Sequence, residues 1–452
     1  MGGGLLQLVA YGAQDVYLTG NPQITFFKVV YRRHTNFAME AIQQTFSGSA
    51  DFGSTVTCQI SRNGDLIHRA YLQVEVPALT DVNDKYVNYL GLRLLKSVSV
   101  EIGGQQIDKH YADWLYIWNE LSLPIGKRSA WEFMVGADQD ITSKAKTVLY
   151  IPLEFWFCRN IGLALPLIAL QYHEVKVKIE FEKLENCIYK LGGSGSVNTI
   201  APTGTGTKLL SVNLWLDYIF LDTDERRKFA QLSHEYLIEQ LQFFTESLKS
   251  SSALNYRLNF NHPCKELVWV GKFNTADTVS QWYNYTVKAD NTFAAGNTIL
   301  GVGGFTAQAY DSNVHAFSSL SPWDATNSNA LSKIVYNVEP NFHSNAVNPF
   351  NTCLLKLNGN DRFAERDGTY FNYVQPFQHH TNIPPNAGIN VYSFSLKPED
   401  HQPSGTLNMS RIDSAILTVN NRAAVDGNIN IYAVNYNVLR ILSGMGGLAY
   451  SN

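Results

Sequence analysis

The sequence presents one order of landmarks twice, and this internal repeat constrains the fold more than any other feature. Residues 37–44 read FAMEAIQQ and residues 236–243 read YLIEQLQF, with apolar residues, a Glu and a Gln in the same order. Further pairs follow in the same chain order, which makes chance a poor explanation: residues 60–76 with 258–270, 98–104 with 354–359, 148–157 with 389–396, 174–181 with 414–419, and 210–221 with 429–442. The repeat predicts two similar domains in one chain.

The repeated segments have the pattern of β-strands. They alternate or run apolar over short stretches and are rich in Val, Ile, Tyr, Phe and Trp, which strands favour. Residues 63–65 and 261–263 supply Asn, Gly and Pro for tight reversals. Helical spacing is confined to the short segments 113–121 and 224–232, where Asp224 is a candidate cap. Roughly six or more strands in each half predict an all-β chain of two tandem β-sandwiches.

The length of the chain also favours two domains. Its 452 residues exceed one ordinary core, since domains usually span about 100–200 residues. The junction between the domains is expected near residues 222–233. Insertions separate the matched strands at residues 122–147, 183–208 and 274–332. Long loops on a rigid sandwich usually carry what faces outward.

The charge balance argues against direct binding of nucleic acid. The chain has 35 Lys and Arg against 39 Asp and Glu, a net charge of -4. Proteins that wrap nucleic acid need clustered basic residues, and the densest spots here, residues 31–34 and 226–228, are typical of solvated or interface charges. Charged residues make up only 16% of the chain. Such a composition favours burial against partners, but it is also ordinary for β-rich viral or extracellular proteins that form no large interface.

The cysteines and the apolar stretches predict a soluble protein of a reducing compartment. Residues 1–6 lack a secretory signal, and Leu6 stands where myristoylation needs Ser or Thr. The most apolar run, residues 161–170, is about half as long as a bilayer-spanning helix. The five cysteines are far apart and form neither a disulfide framework nor a CxxC metal motif: Cys58, Cys158, Cys187, Cys264 and Cys353.

Motifs that could carry chemistry have better structural explanations. The chain has no His-x-His pair, and the adjacent His379 and His380 would face opposite sides of a strand, which favours a loop pair over a metal site. His173, before Glu174, fits a hydrogen-bonded residue at a sheet rim better than a general base. The acidic residues within 222–225 fit helix caps and surface charges. Neither a nucleophile elbow nor a P-loop is present. We therefore expect no catalytic residue, no cofactor and no metal.

Several sequence blocks resemble the major capsid proteins of large icosahedral nucleocytoplasmic DNA viruses, most closely those of algal viruses and related giant viruses. These blocks span nearly the whole chain, and the loops between them diverge. They are residues 8–27 (LVAYGAQDVYLTGNPQITFF), 60–66 (ISRNGDL), 162–175 (GLALPLIALQYHEV), 217–223 (DYIFLDT), 257–263 (RLNFNHP), 435–441 (NYNVLRI) and 446–450 (GGLAY).

The resemblance implies a double jelly roll, in which two tandem eight-stranded jelly-roll β-sandwiches with short helices in their loops occupy residues 34–222 and 223–452. It implies a non-enzymatic subunit whose homotrimer is a pseudo-hexagonal capsomer. Neighbouring capsomers would together tile an icosahedral shell. Residues 1–33 would be an N-terminal assembly arm toward minor capsid proteins and an inner membrane, with penton proteins as further partners. The implied location is the virion capsid, assembled in the host cell cytoplasm.

One alternative class and one modification remain open at this point. The alternative is a monomeric tandem β-sandwich that binds carbohydrate or acts on glycans, with Trp282, Tyr283 and Trp323 lining a sugar cleft. Among the Asn-x-Ser/Thr sequences, Asn284 lies near the start of the long insertion and Asn408 near a strand. Relatives often carry sugars on outer loops, so the resemblance makes Asn284 the candidate glycosylation site.

Overall fold

The structure of the chain, a computed structural model, consists mainly of β-strands joined by loops and short helices. Paired strands whose register is described run antiparallel. The described residues are 3–81, 84–137, 146–191, 197–198, 207–249, 253–274, 282–286, 348–384, 388–422 and 426–450.

The helices of the described residues are short; two precede the first strand, and the others lie in connections between strands. They are α1 (Gly3–Val9), α2 (Val16–Thr19), α3 (Leu90–Leu94), α4 (Ala112–Ser122), α5 (Ile125–Val135), α6 (Trp156–Arg159), α7 (Thr223–Gln231) and α8 (Gln375–His379). A π-helical turn, Tyr370–Val374, precedes α8. The predicted helices over residues 113–121 and 224–232 are confirmed as α4 and α7. The predicted cap of α7 is wrong, because Asp222 rather than Asp224 accepts a hydrogen bond from the Thr223 N–H, at 2.8 Å.

Among the described residues, twelve strands precede α7. They are β1 (Phe37–Gln44), β2 (Thr55–Gln59), β3 (Leu66–Pro77), β4 (Asp84–Tyr86), β5 (Leu95–Ile102), β6 (Gln105–Tyr111), β7 (Lys146–Pro152), β8 (Leu165–Pro166), β9 (Val175–Phe181), β10 (Ile188–Leu191), β11 (Val197–Asn198) and β12 (Ser211–Leu221). Sheet A1 has the order β1-β12-β3-β7, with β8 also paired to β3, and sheet B1 has the order β2-β9-β5-β6. A small third sheet joins β11, β10 and β4.

The strands after α7 form two further sheets. They are β13 (His234–Leu248), β14 (Leu254–Leu258), β15 (Pro263–Phe273), β16 (Phe350–Leu357), β17 (Asn360–Asp361), β18 (Arg366–Asp367), β19 (Asn390–Ser393), β20 (Leu407–Asn408), β21 (Ala415–Asn421), β22 (Gly427–Leu442) and β23 (Met445–Leu448). Sheet A2 has the order β13-β22-β15-β19, with β20 and β23 at its margins, and sheet B2 has the order β14-β21-β16-β17, with β18 on β16.

The two halves repeat one topology. Sheets A1 and A2 are each built from the first and third strands of their half, a middle strand and a long late strand, β12 or β22, and sheets B1 and B2 correspond in the same way. The predicted sequence pairs therefore coincide with equivalent strands: β1 with β13, β3 with β15, β5 with β16, β7 with β19, β9 with β21 and β12 with β22. The predicted all-β fold of two tandem eight-stranded jelly rolls is confirmed.

Equivalent tight turns occur in both halves. Gly103 and Gly104 join β5 to β6, and Asn358 and Gly359 join β16 to β17. All four residues have positive φ, between 50° and 83°. A two-residue hairpin with this backbone matches the twist of its strands and requires Gly or Asn. The glycine-ended strands seen in the sequence are thus the same hairpin, formed twice.

Sheet A1 buries one of its faces. Along β3, Leu72 and Val74 belong to the core of the first half, whereas the alternate residues Tyr71 and Gln73 are half-buried on the other face. Such alternation is the signature of a strand with one face on the core. The outer face of sheet A1 is therefore polar and aromatic and is not covered by the chain's own core.

Sheet A2 is buried on both faces. Leu267 and Trp269 of β15 lie in the core between A2 and B2, whereas Val268 and Val270 lie in the core of the first half. In β22, Ile431 faces the core of the second half and Tyr432 that of the first. A strand covered on both sides is buried at consecutive positions, as β15 is over residues 264–271, of which 267–271 are apolar. The second sandwich is thus packed face-on against the first.

Contacts divide the chain into two units, Met1–Phe37 and Ala38–Asn452. In the first unit, no residue of α1 or α2 is buried, and the large apolar side chains between Leu5 and Tyr31 are exposed. A segment that buries so little apolar surface has little to offset its conformational entropy. None of the helices formed by the described residues is long and apolar enough to cross a membrane.

Candidate functional site at the junction between the sandwiches

The outer face of sheet A2 meets β6, α4 and α6 of the first half, and this contact is called the junction below. Aromatic rings form its centre. The ring of Trp114 on α4 lies 5.3 Å from Tyr432 on β22, and the ring of Tyr111 at the end of β6 lies 4.6 Å from Phe243 on β13. Buried aromatic pairs of this kind contribute both apolar area and a preferred orientation. The junction therefore has the character of a domain core rather than of a mobile hinge.

An ion pair lies beside these rings. Lys272 at the end of β15 places Nζ 2.9 Å from both carboxylate oxygens of Asp113, at the start of α4. The hydroxyl of Tyr285 donates to the same carboxylate at 3.3 Å. Burial, with Asp113 as the next cause, raises the pKa of Tyr285 well above its usual value, so this hydroxyl remains a donor. The Asp113 side chain thereby links α4, β15 and the segment of residues 282–286.

The backbone of β6 also bonds to the edge strand β13. The Leu241 N–H donates to Oδ1 of Asp108 at 3.0 Å, and the side-chain amide of Gln240 donates to the carbonyl oxygen of Ile107. These contacts occupy groups on an edge strand that would otherwise be free to pair with another chain. The first sandwich thus caps this edge of sheet A2.

A buried carboxylate joins two cations from different halves. Glu239 on β13 accepts from Arg159 of α6 and from Lys265 of β15, each at 2.8 Å. Lys265 is fully buried, and its Nζ also lies 5.0 Å from the ring of Tyr436 and 3.3 Å from the carbonyl oxygen of Asp400. Removing one member of such a network leaves an unpaired charge in a low-dielectric site. Charge pairing here fixes the register of the two sandwiches.

A second buried charge cluster is centred on His380, which directly follows α8, and includes Glu399 and Glu266. Nδ1 of His380 is 2.9 Å from Glu399, and Nε2 is 3.0 Å from Glu266. The second contact is an ion pair by distance, but its angle is not that of a hydrogen bond, and neither Glu266 oxygen accepts a hydrogen bond from any described residue. Burial lowers the pKa of His380, but Glu266 and Glu399 outweigh it and raise the pKa to about 9. The imidazolium therefore neutralises two carboxylates at neutral pH.

The C-terminal hairpin forms a separate clasp onto the first half. The Tyr172 N–H donates to the Gly444 carbonyl oxygen at 3.0 Å, and Nδ1 of His173 lies 2.8 Å from the Gly446 carbonyl oxygen. A Cβ at Gly446 would lie 2.5 Å from Leu170, and one at Gly444 would lie 2.6 Å from the Tyr172 ring. These close approaches explain the glycines of the turn between β22 and β23. His173 is hydrogen-bonded at the sheet rim, as predicted.

A cavity of about 710 Å³ opens at the junction. Charges of both signs line it, among them Arg69, Asp217 and Arg159. Arg159 is already paired with Glu239. Within the described parts of the chain, no group of three or more His, Cys, Asp or Glu side chains could hold a metal ion. The lining carboxylate of Glu399 is likewise paired with His380, so part of the charge around the cavity is neutralised within the chain.

The structure places the predicted glycosylation residue inside the protein. Asn284 is only 3% exposed, and its Oδ1 accepts hydrogen bonds from the N–H and the hydroxyl of Thr286, at 3.0 and 2.7 Å. A sugar on Nδ2 would need this segment to adopt another arrangement. Glycosylation at Asn284 stays a prediction. The other tripeptide begins at Asn408, whose side chain accepts from the Ser410 N–H at 3.1 Å.

Trp282 and Tyr283, the described aromatic residues of the carbohydrate alternative, do not line an open cleft. Tyr283 is buried, and the guanidinium of Arg93 covers the ring of Trp282 at 3.7 Å. Trp323 and most of the predicted insertion at residues 274–332 lie outside the described residues. The two rings that are described belong to the aromatic core beside the junction.

Sequence reasoning missed the buried charges of the junction. Lys265, Glu266 and Glu239 lie on strands whose neighbours are apolar, and His380 was interpreted as a loop residue. The available signal was the Lys-Glu pair inside the apolar run of residues 263–271, since charges are rarely buried unless they are paired. The partners of these charges come from distant segments and cannot be deduced from the strand itself.

Family models match the sequence on both sides of this junction. Residues 25–222 match the major capsid protein N-terminus, and residues 225–447 match the large eukaryotic DNA virus major capsid protein. The chain belongs to the family of major capsid proteins of large eukaryotic DNA viruses. The junction is thus the contact between the two jelly rolls of a capsid protein.

Curated relatives extend the match over full lengths. The chain is 46% identical over 522 residues to the major capsid protein of Phaeocystis pouchetii virus, and 48% identical over 486 residues to that of Pyramimonas orientalis virus. Both alignments cover 100% of each chain.

Solved structures agree in fold. A chain of the PBCV-1 virus capsid, in a quasi-atomic model, superposes with a TM-score of 0.75 at 38% identity, over 95% of this chain and 100% of that one. The Faustovirus major capsid protein superposes with a TM-score of 0.68 at 15% identity, over 96% and 94%, which supports the fold alone.

Family membership decides between the two functional classes. The major capsid protein is a structural component of the virion capsid and not an enzyme. The alternative of a carbohydrate-binding protein or glycan-active enzyme is wrong, because both halves of the chain match capsid models.

Proposed function

We propose that three copies of this major capsid protein form a capsomer of pseudo-hexagonal outline and that capsomers tile the icosahedral shell. The observation that carries the proposal is the shared strand order of sheets A1 and A2 and of sheets B1 and B2. Three chains with two similar sandwiches each present six similar edges, so hexagonal packing follows from threefold symmetry and internal repetition.

The junction supplies the rigidity that such a tile needs. Two sandwiches joined by a flexible linker would present edges at varying angles, and neighbouring capsomers would not meet in register. Here the second sandwich is held by a shared apolar core, by the Lys272–Asp113 pair and by the C-terminal clasp. Each chain therefore enters assembly with the angle between its sandwiches already set.

We assign residues 34–222 to the first jelly roll, residues 223–452 to the second and residues 1–33 to an assembly arm. The exposed apolar side chains of the arm favour its burial during assembly, against minor capsid proteins or an inner membrane. Penton proteins would fill the vertices of the shell. The net charge of -4 favours a shell without direct contact to nucleic acid. Five free cysteines suit assembly in the reducing host cytoplasm.

The mass of the purified protein tests the capsomer. Sedimentation or native mass spectrometry is expected to give a stable trimer, with each interface burying more than about 2,000 Å², as obligate assemblies do. Electron microscopy should then show six-sided particles. A protein that remains monomeric at micromolar concentration would contradict the proposal.

A further inference from the structure

An exposed aromatic row crosses the outer face of sheet A1. Trp215, Tyr71 and Tyr150 lie side by side on β12, β3 and β7, and this set is called the aromatic row. The rings of Trp215 and Tyr71 are 6.4 Å apart and nearly parallel, and those of Tyr71 and Tyr150 are 6.2 Å apart. The Trp215 Nε1–H donates to Gln73 at 2.7 Å, which holds the indole flat on the sheet, and Tyr150 is 39% exposed. Trp215 and Tyr71 are half-buried, so the row is an ordered aromatic strip on a polar face, and the described core of the chain does not cover it.

The equivalent face in the second half is covered. Sheet A2 corresponds to A1 strand by strand, and its outer face is buried under α4, where Trp114 packs on Tyr432. The chain therefore contains one example of what binds to such a face. That example is α4, the helical segment that follows β6, and it covers the outer face of sheet A2.

The equivalent helical segment of the second half packs on its own sandwich but leaves large apolar side chains exposed. After β17 and β18 come the π-helical turn and α8, which carry Val374 and Phe377. Phe377 is 75% exposed and Leu396 is 73% exposed, and Nδ1 of His379 lies 3.0 Å from the Leu396 carbonyl oxygen, which holds the two elements together. Val374, Phe377 and Leu396 are called the apolar knob. Isolated exposed apolar residues are ordinary, but three on adjoining elements mark a contact surface.

We infer that the apolar knob of one copy packs on the aromatic row of the next copy and so repeats between chains the contact that α4 makes with sheet A2 within a chain. This inference rests on the proposed trimer. Each chain has one knob and one row on different sandwiches, so the contact is heterologous, and a ring of three leaves neither surface open. Aromatic anchors at the centre of an interface carry most of its energy.

Single charged substitutions test the two surfaces separately. Phe377→Glu and Tyr150→Glu are each expected to raise the concentration at which half of the trimer dissociates by about thirtyfold or more, since each places a charge at the centre of the contact. Phe133→Glu is the matched control, because Phe133 on α5 is 68% exposed and lies on neither surface. The control should remain as trimeric as the wild type. Circular dichroism and thermal unfolding should show that all three variants fold.

A cysteine pair tests the contact even if a charged variant fails to fold. The doubly substituted chain, Phe377→Cys with Tyr150→Cys, should form covalent dimers and trimers with a short bis-maleimide, whereas either single substitution should give monomers. The native cysteines are buried or half-buried, and the wild type treated with the same bis-maleimide sets their background. If the wild type is trimeric but both Glu variants keep its mass and the cysteine pair links no better than the single variants, the surface assignment is overturned. A monomeric wild type would instead overturn the proposed capsomer.

Discussion

Replacing His380 with Gln should remove a pH-dependent part of the stability of the second sandwich. The imidazolium lies between Glu266 and Glu399, and the Glu266 oxygens accept no hydrogen bond from other described residues. In the folded chain these carboxylates raise the pKa of His380 to about 9, against about 6.5 in an unfolded chain. The cation therefore adds on the order of 3 kcal/mol to the free energy of unfolding.

The sign of the pH dependence follows from the direction of this pKa. The folded state holds the proton more tightly, so the contribution is fully present below about pH 6.5 and is lost as the pH rises through about 9. We expect the free energy of unfolding of the wild type, relative to His380→Gln, to fall by about 3 kcal/mol across this range. The destabilisation caused by His380→Gln should be largest at the acidic end, because the contribution of the imidazolium is fully present there in the wild type.

Urea unfolding at a series of pH values, at fixed protein concentration, measures this difference. His379→Gln is the matched control, since the neighbouring imidazole contacts only the Leu396 carbonyl oxygen among the bonds described. Its effect should stay within about 0.5 kcal/mol at every pH. If the difference between wild type and His380→Gln is constant from pH 6.5 to 9, or grows with pH, the assigned charge state of this cluster is wrong.

Three further outcomes are expected. Trp114→Ala should lower the free energy of unfolding by about 3–5 kcal/mol, because it empties the centre of the junction, and an unchanged melting temperature would contradict that role. Deletion of residues 1–33 should leave trimers intact in sedimentation but stop lattice assembly in electron micrographs; loss of the trimer would contradict the assignment of the arm. The cysteine thiols of the native protein should be alkylated slowly at pH 8. Burial raises the pKa of Cys58 to about 11 and is the main cause that raises the pKa of Cys187 to about 12, so few thiolates are present. Rapid labelling of these cysteines before unfolding would refute this prediction.

Much of the fold could be read from local patterns. Residues 98–104 and 354–359 alternate and end in Gly or Asn-Gly, and both became strands closed by the same hairpin. A positive φ at Gly103 or Asn358 is a local requirement, so the residue itself reports it. The same holds for the apolar spacing of α4 and α7, because the residues that set it lie within one short segment. The repeat then joined these local elements into two equivalent sandwiches.

The candidate site could not be read in this way. The run at residues 263–271 indicated a buried strand, but a pattern of period two or a continuous apolar run does not say what covers each face. Only the folded chain shows Val268 facing the first sandwich and Trp269 facing the second. The same limit hid the partners of Lys265 and His380.

By itself, then, the sequence determined the strands, the tight turns, the doubling of the sandwich and the family, because each depends on residues close together in the chain or on a repeated order of them. The tertiary structure decided how the two sandwiches meet. It brought Asp113 to Lys272 and Arg159 to Glu239, and it left the aromatic row and the apolar knob uncovered. Contacts between distant segments depend on the packing of whole sheets, and no short stretch of sequence carries that information.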